Sequence, residues 1–334
     1  MSRYTLRDFD YHLPQELIAQ TPATPRDHSR LLVYNRTDQS IRDDIFYNIG
    51  RYLPADTTLV VNNSKVEKCR LLFDQGKTEI FVTKTLDPLT AEAMIRPGKR
   101  FKRGAIRELA GGLSVEVTGI APDGLRTLRF NKPLDHSDFE PFKRTPFPPY
   151  IETDESLSDR YQTLYAKDEG SKAAPTAGLH FTSGLLQRLH SEGISLVELT
   201  LHVGLGTFSP VKTEQIEEHT MHSEWYRITP EQSEGLNRAR SITAVGTTSL
   251  RVLESVSGSQ RNFSACNGNT DIFITPGYPF KATDHLITNF HLPKSTLLML
   301  ISAFAGLEEV KRIYDHAIQE KYRFYSFGDA MLIL

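Results

Sequence analysis

SITAVGTTSLRVLESV, residues Ser241 to Val256, is the stretch that decides the fold. SITAV is rich in β-branched and apolar side chains and reads as a buried strand. Gly246 interrupts it, and Thr248 or Ser249 can then cap a helix over LRVLESV. Strand, glycine turn and helix in immediate succession make half of an α/β unit. The pattern recurs on both sides. Upstream, Pro175 and Gly178 break the small, apolar run AAPTAGLHFT (173–182). Thr182 then caps a helix carrying Leu185, Leu186 and Leu189, and ISLVELTLHV (194–203) reads as a strand. Downstream, DIFIT (271–275) and HLITNF (285–290) read as strands, and KSTLLMLISAFAG (294–306) as an apolar helix closed by Gly306. Val310, Ile313, Tyr314, Ala317 and Ile318 share one face of an amphipathic helix.

Toward the N-terminus, HLPQELIAQTP predicts a short helix between Pro14 and Pro22, and RLLVYNR and TLVVNNS predict strands. Between about Lys65 and Tyr150 the texture changes. Short β-like runs (KCRLLF, KTEIFVTKTL, EAMIRPG, LSVEVTGI, LRTLRF) alternate with Gly and charged turns, as in a small barrel or sandwich. The Pro-rich RTPFPPYI (144–151) closes this region. The expected architecture is an α/β main domain, residues 1–63 and 150–334, interrupted by an inserted small β-barrel domain, residues 64–149.

The composition, 39% hydrophobic and 24% charged over 334 residues, lies within the range of a soluble globular enzyme. Net charge is -2, yet residues 61–150 carry 16 Lys+Arg against 11 Asp+Glu. The excess concentrates in RPGKRFKRG (96–104), which is either a phosphate-contacting cluster or a solvated turn. No apolar run approaches the roughly 20 residues of a membrane span. Met1–Pro14 has no signal-peptide character. Cys69 and Cys266 are too few for a disulfide framework. A cytoplasmic protein is expected.

No GxxxxGK[ST] or GxSxG motif occurs. HVGLGTF (202–208) has a GxG after a strand but lacks the third glycine of a dinucleotide fingerprint. Its glycines permit either a tight turn or close approach by a flat ligand. His219 and His222 in HTMH could contribute two metal ligands, but no HExxH occurs and no cysteine stands near to complete a tetrahedral set, so no metal is expected. Glu224 is either a carboxylate in an apolar setting or an exposed neighbour of a buried Trp225. Arg251, in the first turn after Gly246, is either a carboxylate fork or exposed. NFHLPKST (289–296) repeats the strand-to-helix construction with Asn289, His291 and Lys294 at the strand end. Three such loops in one domain suggest a shared pocket.

Taken together, LIAQTPATPRDHSRLLV, LVVNNSKV, YQTLYAK, GSKAAPTAGLHFT, LHVGLGTFSPV, MHSEWY, AVGTTSLRVLES, TDIFITPGY, LITNFHLPKSTLLMLISAFAG and YRFYSFGDAMLI resemble the S-adenosylmethionine:tRNA ribosyltransferase-isomerases of queuosine biosynthesis. The resemblance runs from about residue 17 to residue 333 and is weakest in the insertion. It implies a similar fold with an inserted β-barrel. It also implies transfer and isomerisation of the ribosyl part of S-adenosylmethionine onto an aminomethyl-deazaguanine base at the tRNA wobble position. Epoxyqueuosine forms, and adenine and methionine leave.

Such a reaction needs a proton acceptor, for which His180, His202, His222 and His291 are the candidates. His180 ranks first because its loop is otherwise small and apolar. Thr176, Gly178, Gly204, Gly206, Thr247, Thr248, Arg251, Asn289 and Lys294 are expected to hold the cosubstrate. Asn63, Arg70, Lys99, Arg100, Lys102, Arg103, Tyr165, Phe181 and Tyr278 are expected to meet tRNA or its base. Expected partners are S-adenosylmethionine as cosubstrate and the tRNA anticodon arm. No permanent cofactor, metal or membrane is expected, and a monomer is.

Overall fold

The computed structural model describes residues 4–152, 154–204, 206, 211, 213–258 and 261–334. Two units emerge, residues 1–65 with 148–334 and residues 66–147. In chain order the strands are β1 (Arg30–Tyr34), β2 (Ile41–Ile45), β3 (Thr57–Asn62), β4 (Ser64–Val66), β5 (Arg70–Phe73), β6 (Thr78–Asp87), β7 (Thr90–Arg96), β8 (Ile106–Glu108), β9 (Ser114–Ile120), β10 (Arg126–Phe130), β11 (Lys143–Arg144), β12 (Asp168–Ser171), β13 (Ser195–Leu201), β14 (Glu224–Ile228), β15 (Ser241–Val245), β16 (Cys266–Thr270), β17 (His285–Asn289) and β18 (Ala330–Ile333). The α-helices are α1 (Ser183–Ser191), α2 (Pro230–Arg238), α3 (Thr247–Val256), α4 (Thr296–Ala305) and α5 (Leu307–Gln319).

The larger unit is built on a mixed nine-stranded sheet of order β16-β14-β13-β3-β15-β17-β18-β1-β2. Strands β13, β3, β15 and β17 run parallel at its centre, and β18 runs parallel to β1. Successive residues of the inner strands supply different cores. Val60, Leu32, Met331 and Leu286 join one cluster, while Leu59, Val61, Leu31, Leu332 and Ile287 join the other. This period of two, with both faces buried, explains why the inner strands read as continuous apolar runs.

The helices start where the sequence provides caps. Thr182 Oγ1 accepts from Leu185 N, and Ser295 Oγ accepts from Leu298 N. Neither Thr248 nor Ser249 caps α3. That helix begins at Thr247, with Gly246 (φ +88°) in the cap position two residues before Thr248, and Ser249 instead donates back to the Val245 carbonyl. HLPQELIAQTP makes only a single 3₁₀ turn, Gln15–Leu17, because its two prolines leave too few residues for an α-helical run. DIFIT is not a strand. The ladder lies just before it, where Cys266–Thr270 pairs antiparallel with Glu224–Ile228. The CNGNT sequence has little strand propensity, so pairing overrides it.

The smaller unit is a seven-stranded sheet of order β11-β5-β6-β7-β10-β9-β8, antiparallel throughout. Leu71, Phe73, Ile80, Val82, Val115, Val117 and Leu128 alternate onto its buried face. Among the described residues, no helix is long and apolar enough to cross a membrane.

Candidate functional site

Strands β15 and β17 are parallel neighbours, so the loops at their C-terminal ends lie side by side. One loop enters α3 through Gly246 and the other runs from Asn289 to α4. The 173–177 segment joins them, and a cleft of about 680 Å³, counting the open space at its mouth, lies among the three. Ligands of α/β sheets bind at this strand edge. Thr176, Thr247, Thr248, Asn289 and His291 face the cleft together with Tyr150 and Tyr325. Thr248 Oγ1 is buried there without a hydrogen-bond partner among the described residues.

His180 lies beneath the cleft, not in it. Its Nδ1 meets Ser29 Oγ at 2.8 Å, and its Nε2 accepts from Asn289 Nδ2 at 3.1 Å. Asn289 Oδ1 in turn accepts from Thr176 Oγ1 at 2.9 Å, and the imidazole packs on Phe46. Burial lowers the His180 pKa to about 4, against a weaker upward pull from Asp329. With both ring nitrogens engaged by the protein, His180 orients Asn289 and is not placed to take a substrate proton. His291 is the histidine that lines the cleft. Its Nε2 meets Thr288 Oγ1 at 2.8 Å, its backbone is held by Tyr11 and Tyr314, and burial lowers its pKa to about 3. Its Nδ1 has no protein partner among the described residues.

A smaller recess of about 310 Å³ shares Leu297 with the cleft and is lined by Gly206, His219, His222, Glu224 and Arg251. Glu224 is buried beside a partly exposed Trp225, the reverse of an exposed carboxylate next to a buried indole. Arg251 Nη1 donates to Glu224 Oε2, and both side chains are 4% exposed. Arg251 Nε and Nη2 are buried without partners among the described residues. Glu224 Oε1 accepts from Gly204 N at 2.9 Å. An added Cβ on Gly206 would lie 2.0 Å from the His222 ring. Gly206 therefore admits the His222 ring, while Gly204 serves Glu224 only through its backbone N–H. The rest of that turn, residues 205 and 207–210, lies outside the described residues.

Several expected site residues are elsewhere. Lys294 pairs with Asp10 at 2.8 Å. His202 stacks on Trp225 and fills the space a Cβ on Gly170 would need. Phe181 is a core residue, edge-on to Phe46, so no base can stack on it. Tyr278 reaches Glu254, near the far end of α3. Gly178 is buried because the Tyr165 hydroxyl would lie 2.1 Å from any Cβ there, which keeps both residues in packing. Asn63 is fully buried, bonded to Glu198 and Thr200. Arg70 forks Glu79. Lys99, Arg100, Lys102 and Arg103 are exposed and form no ion pair among the described residues.

Tyr325 was not anticipated. It adopts φ +73°, a conformation that costs a bulky side chain on the order of 1–3 kcal/mol. The turn that imposes it is closed by Gly328 N donating to Tyr325 O and by the buried Asp329 carboxylate, which accepts from Arg30 N and Arg323 N. A Cβ on Gly328 would lie 2.4 Å from the Arg323 carbonyl oxygen. The SFG run after Tyr325 is the one local signal of this turn. Among the described residues no cluster of three or more His, Cys, Asp or Glu is arranged to hold a metal.

The chain matches the family model described as queuosine biosynthesis protein over residues 6–333. An S-adenosylmethionine:tRNA ribosyltransferase-isomerase of Desulfitobacterium hafniense is 50% identical, over 98% of this chain and 99% of that one. One from Ralstonia pickettii is 49% identical, over 98% and 94%. A crystal structure of the S-adenosylmethionine tRNA ribosyltransferase of Thermotoga maritima is 38% identical, covers 98% of this chain and 100% of its own, and superposes with a TM-score of 0.56. With a match of this length and identity, the chain belongs to the queuosine biosynthesis protein family, whose relatives are named S-adenosylmethionine:tRNA ribosyltransferase-isomerases.

Proposed function

We propose that this enzyme moves the ribosyl part of S-adenosylmethionine onto the aminomethyl group of a deazaguanine base at the tRNA wobble position. The product is epoxyqueuosine, and adenine and methionine are released. The observation that carries the reading is the pair of unpartnered guanidinium donors on Arg251, next to a cleft lined by neutral hydroxyls and a neutral imidazole. S-adenosylmethionine offers that combination a carboxylate at one end and a flat base at the other. Arg251 Nε and Nη2 fork the carboxylate. Thr247, Thr248 and the Thr176–Asn289 pair meet the polar groups of the ribose.

His291 receives the proton that the incoming aminomethyl group must lose, through its free Nδ1. Burial keeps it neutral at neutral pH, so its Nδ1 lone pair is open, although the same burial weakens it as a base. His180 fixes the Asn289 amide. The exposed Lys99, Arg100, Lys102 and Arg103 track the anticodon arm, and the inserted sheet serves as a barrel-like carrier for them. The larger unit is the catalytic domain, and the protein works in the cytoplasm as a monomer.

The test is product analysis. Enzyme, S-adenosylmethionine and tRNA carrying the base precursor should release adenine and methionine in equal amounts. Release of S-adenosylhomocysteine instead would identify a methyltransferase. His291→Ala should abolish turnover while retaining S-adenosylmethionine binding. His180→Ala should lose stability first, and a folded, fully active His291→Ala protein removes His291 from its role.

A further inference from the structure

Tyr325 is 6% exposed, yet its hydroxyl has no hydrogen-bond partner among the described residues. That oxygen is not fully enclosed by protein, so the donor is open to a molecule in the cleft that Tyr325 lines. The left-handed backbone at Tyr325, pinned by Gly328 and Asp329, holds its ring at the cleft wall. The Tyr150 ring lies 4.7 Å away, tilted by 52°, and the Tyr150 hydroxyl meets Ser326 Oγ at 2.7 Å. Two aromatic rings, a fixed angle and one unused donor are what a flat, acceptor-bearing heterocycle needs. The Tyr325 backbone is also tied to the polar floor, because Asn289 Nδ2 donates to its carbonyl at 3.2 Å. Strain kept at a cleft wall, where relaxation would swing the ring away, fits pre-organisation.

The proposed reaction contains two heterocycles, adenine and deazaguanine. The deep position of Tyr325 suits the one carried by a small molecule that the cleft can enclose. Adenine has ring nitrogens N1, N3 and N7 as acceptors, whereas a 7-deazapurine has carbon in place of N7. Adenine is also the group that departs with the electron pair of its bond to the ribose. A donor on a ring nitrogen gains strength as that negative charge develops. We propose that Tyr325 and Tyr150 form the adenine seat of the cleft, with the Tyr325 hydroxyl donating to adenine N3 or N7, the nitrogens nearest the breaking bond, as a binding and positioning contact that tightens when adenine leaves.

This inference rests on the S-adenosylmethionine reading above, and the experiment separates the two. S-adenosylhomocysteine and its 3-deaza and 7-deaza analogues are titrated calorimetrically into the wild-type enzyme without tRNA. The wild type should bind the parent compound about tenfold more tightly than one of the analogues, the worth of one hydrogen bond. In Tyr325→Phe, which keeps the ring, that preference should disappear. Adenine release from S-adenosylmethionine and tRNA should then slow by tenfold or more, with a smaller change in KM. A wild type that binds S-adenosylhomocysteine but does not distinguish it from either analogue overturns the seat while leaving the cosubstrate reading intact. A wild type that binds none of the three overturns both. Tighter binding of the free aminomethyl-deazaguanine base to wild type than to Tyr325→Phe, with S-adenosylhomocysteine affinity equal in the two, would assign the seat to the tRNA base and overturn the adenine assignment.

Discussion

Glu224→Gln is the most informative single substitution. The two charged side chains are each 4% exposed, so almost no water reaches the pair. Replacing Glu224 by an isosteric amide preserves volume and leaves an acceptor for Gly204 N. What it removes is the negative charge facing Arg251. An uncompensated buried guanidinium costs about 3–5 kcal/mol. With a urea dependence of about 3 kcal/mol per molar for a unit of this size, the denaturation midpoint should fall by about 1–2 M.

The double variant Glu224→Leu with Arg251→Met removes both charges and should stay within about 1 kcal/mol of wild type. It also separates folding from binding. Saturating S-adenosylmethionine at about 100 times its dissociation constant should stabilise the wild type by about 2.7 kcal/mol. The double variant, lacking the guanidinium fork, should show almost none of that gain at the same concentration. Urea melts followed by tryptophan fluorescence, with and without S-adenosylmethionine, measure both quantities. A Glu224→Gln protein destabilised by less than about 1 kcal/mol would refute the buried pair. A double variant as unstable as the single one would do the same.

Three further outcomes are expected. His180 has a folded pKa of about 4, below its ordinary 6.5, so the unfolded chain takes up the proton first as pH falls. Its contribution is complete above pH 6.5 and declines toward pH 4 by about 3 kcal/mol, so urea midpoints should drop across that window and less steeply in His180→Gln. Neutralising Lys99, Arg100, Lys102 and Arg103 should lower the slope of log affinity for tRNA against log salt by up to about 3, as filter binding at several salt concentrations would show, and an unchanged slope would rule out phosphate contacts there. Gly328→Ala should destabilise by roughly 1–3 kcal/mol, because its Cβ would meet backbone rather than a movable side chain; a thermal melt equal to wild type would contradict that packing.

Local chemistry made much of the fold legible. The strand, glycine and helix of 241–256 and the cap at Thr182 depend on neighbours within a few residues. Their spacing in the sequence is their spacing in the structure. What could not be read depends on distant pairing. CNGNT becomes a strand only because EWYRI lies beside it. Arg251 finds Glu224 across 27 residues, and no pattern in either segment announces the other. His180 drew attention because its loop is small and apolar, yet that same apolarity is what buries it. Its network draws Ser29 and Asn289 from distant segments, and only Thr176 from its own turn. The cleft followed from strand ends, but Tyr325 reached it through a turn whose strain is visible only in the backbone.

Strand β18 lies between β1 and β17. Leu31 pairs with Ala330, so β1 must wait about 300 residues of synthesis for the neighbour on that side. Residues 66–147 form a contiguous unit of antiparallel ladders, most of them between strands close in sequence, and can mature while the ribosome is still making the rest. The nascent larger unit meanwhile carries an open, apolar sheet edge at Leu31–Tyr34. Conditions that slow translation between the two strands therefore lengthen the period in which this edge can recruit another chain, and aggregation during expression should originate there.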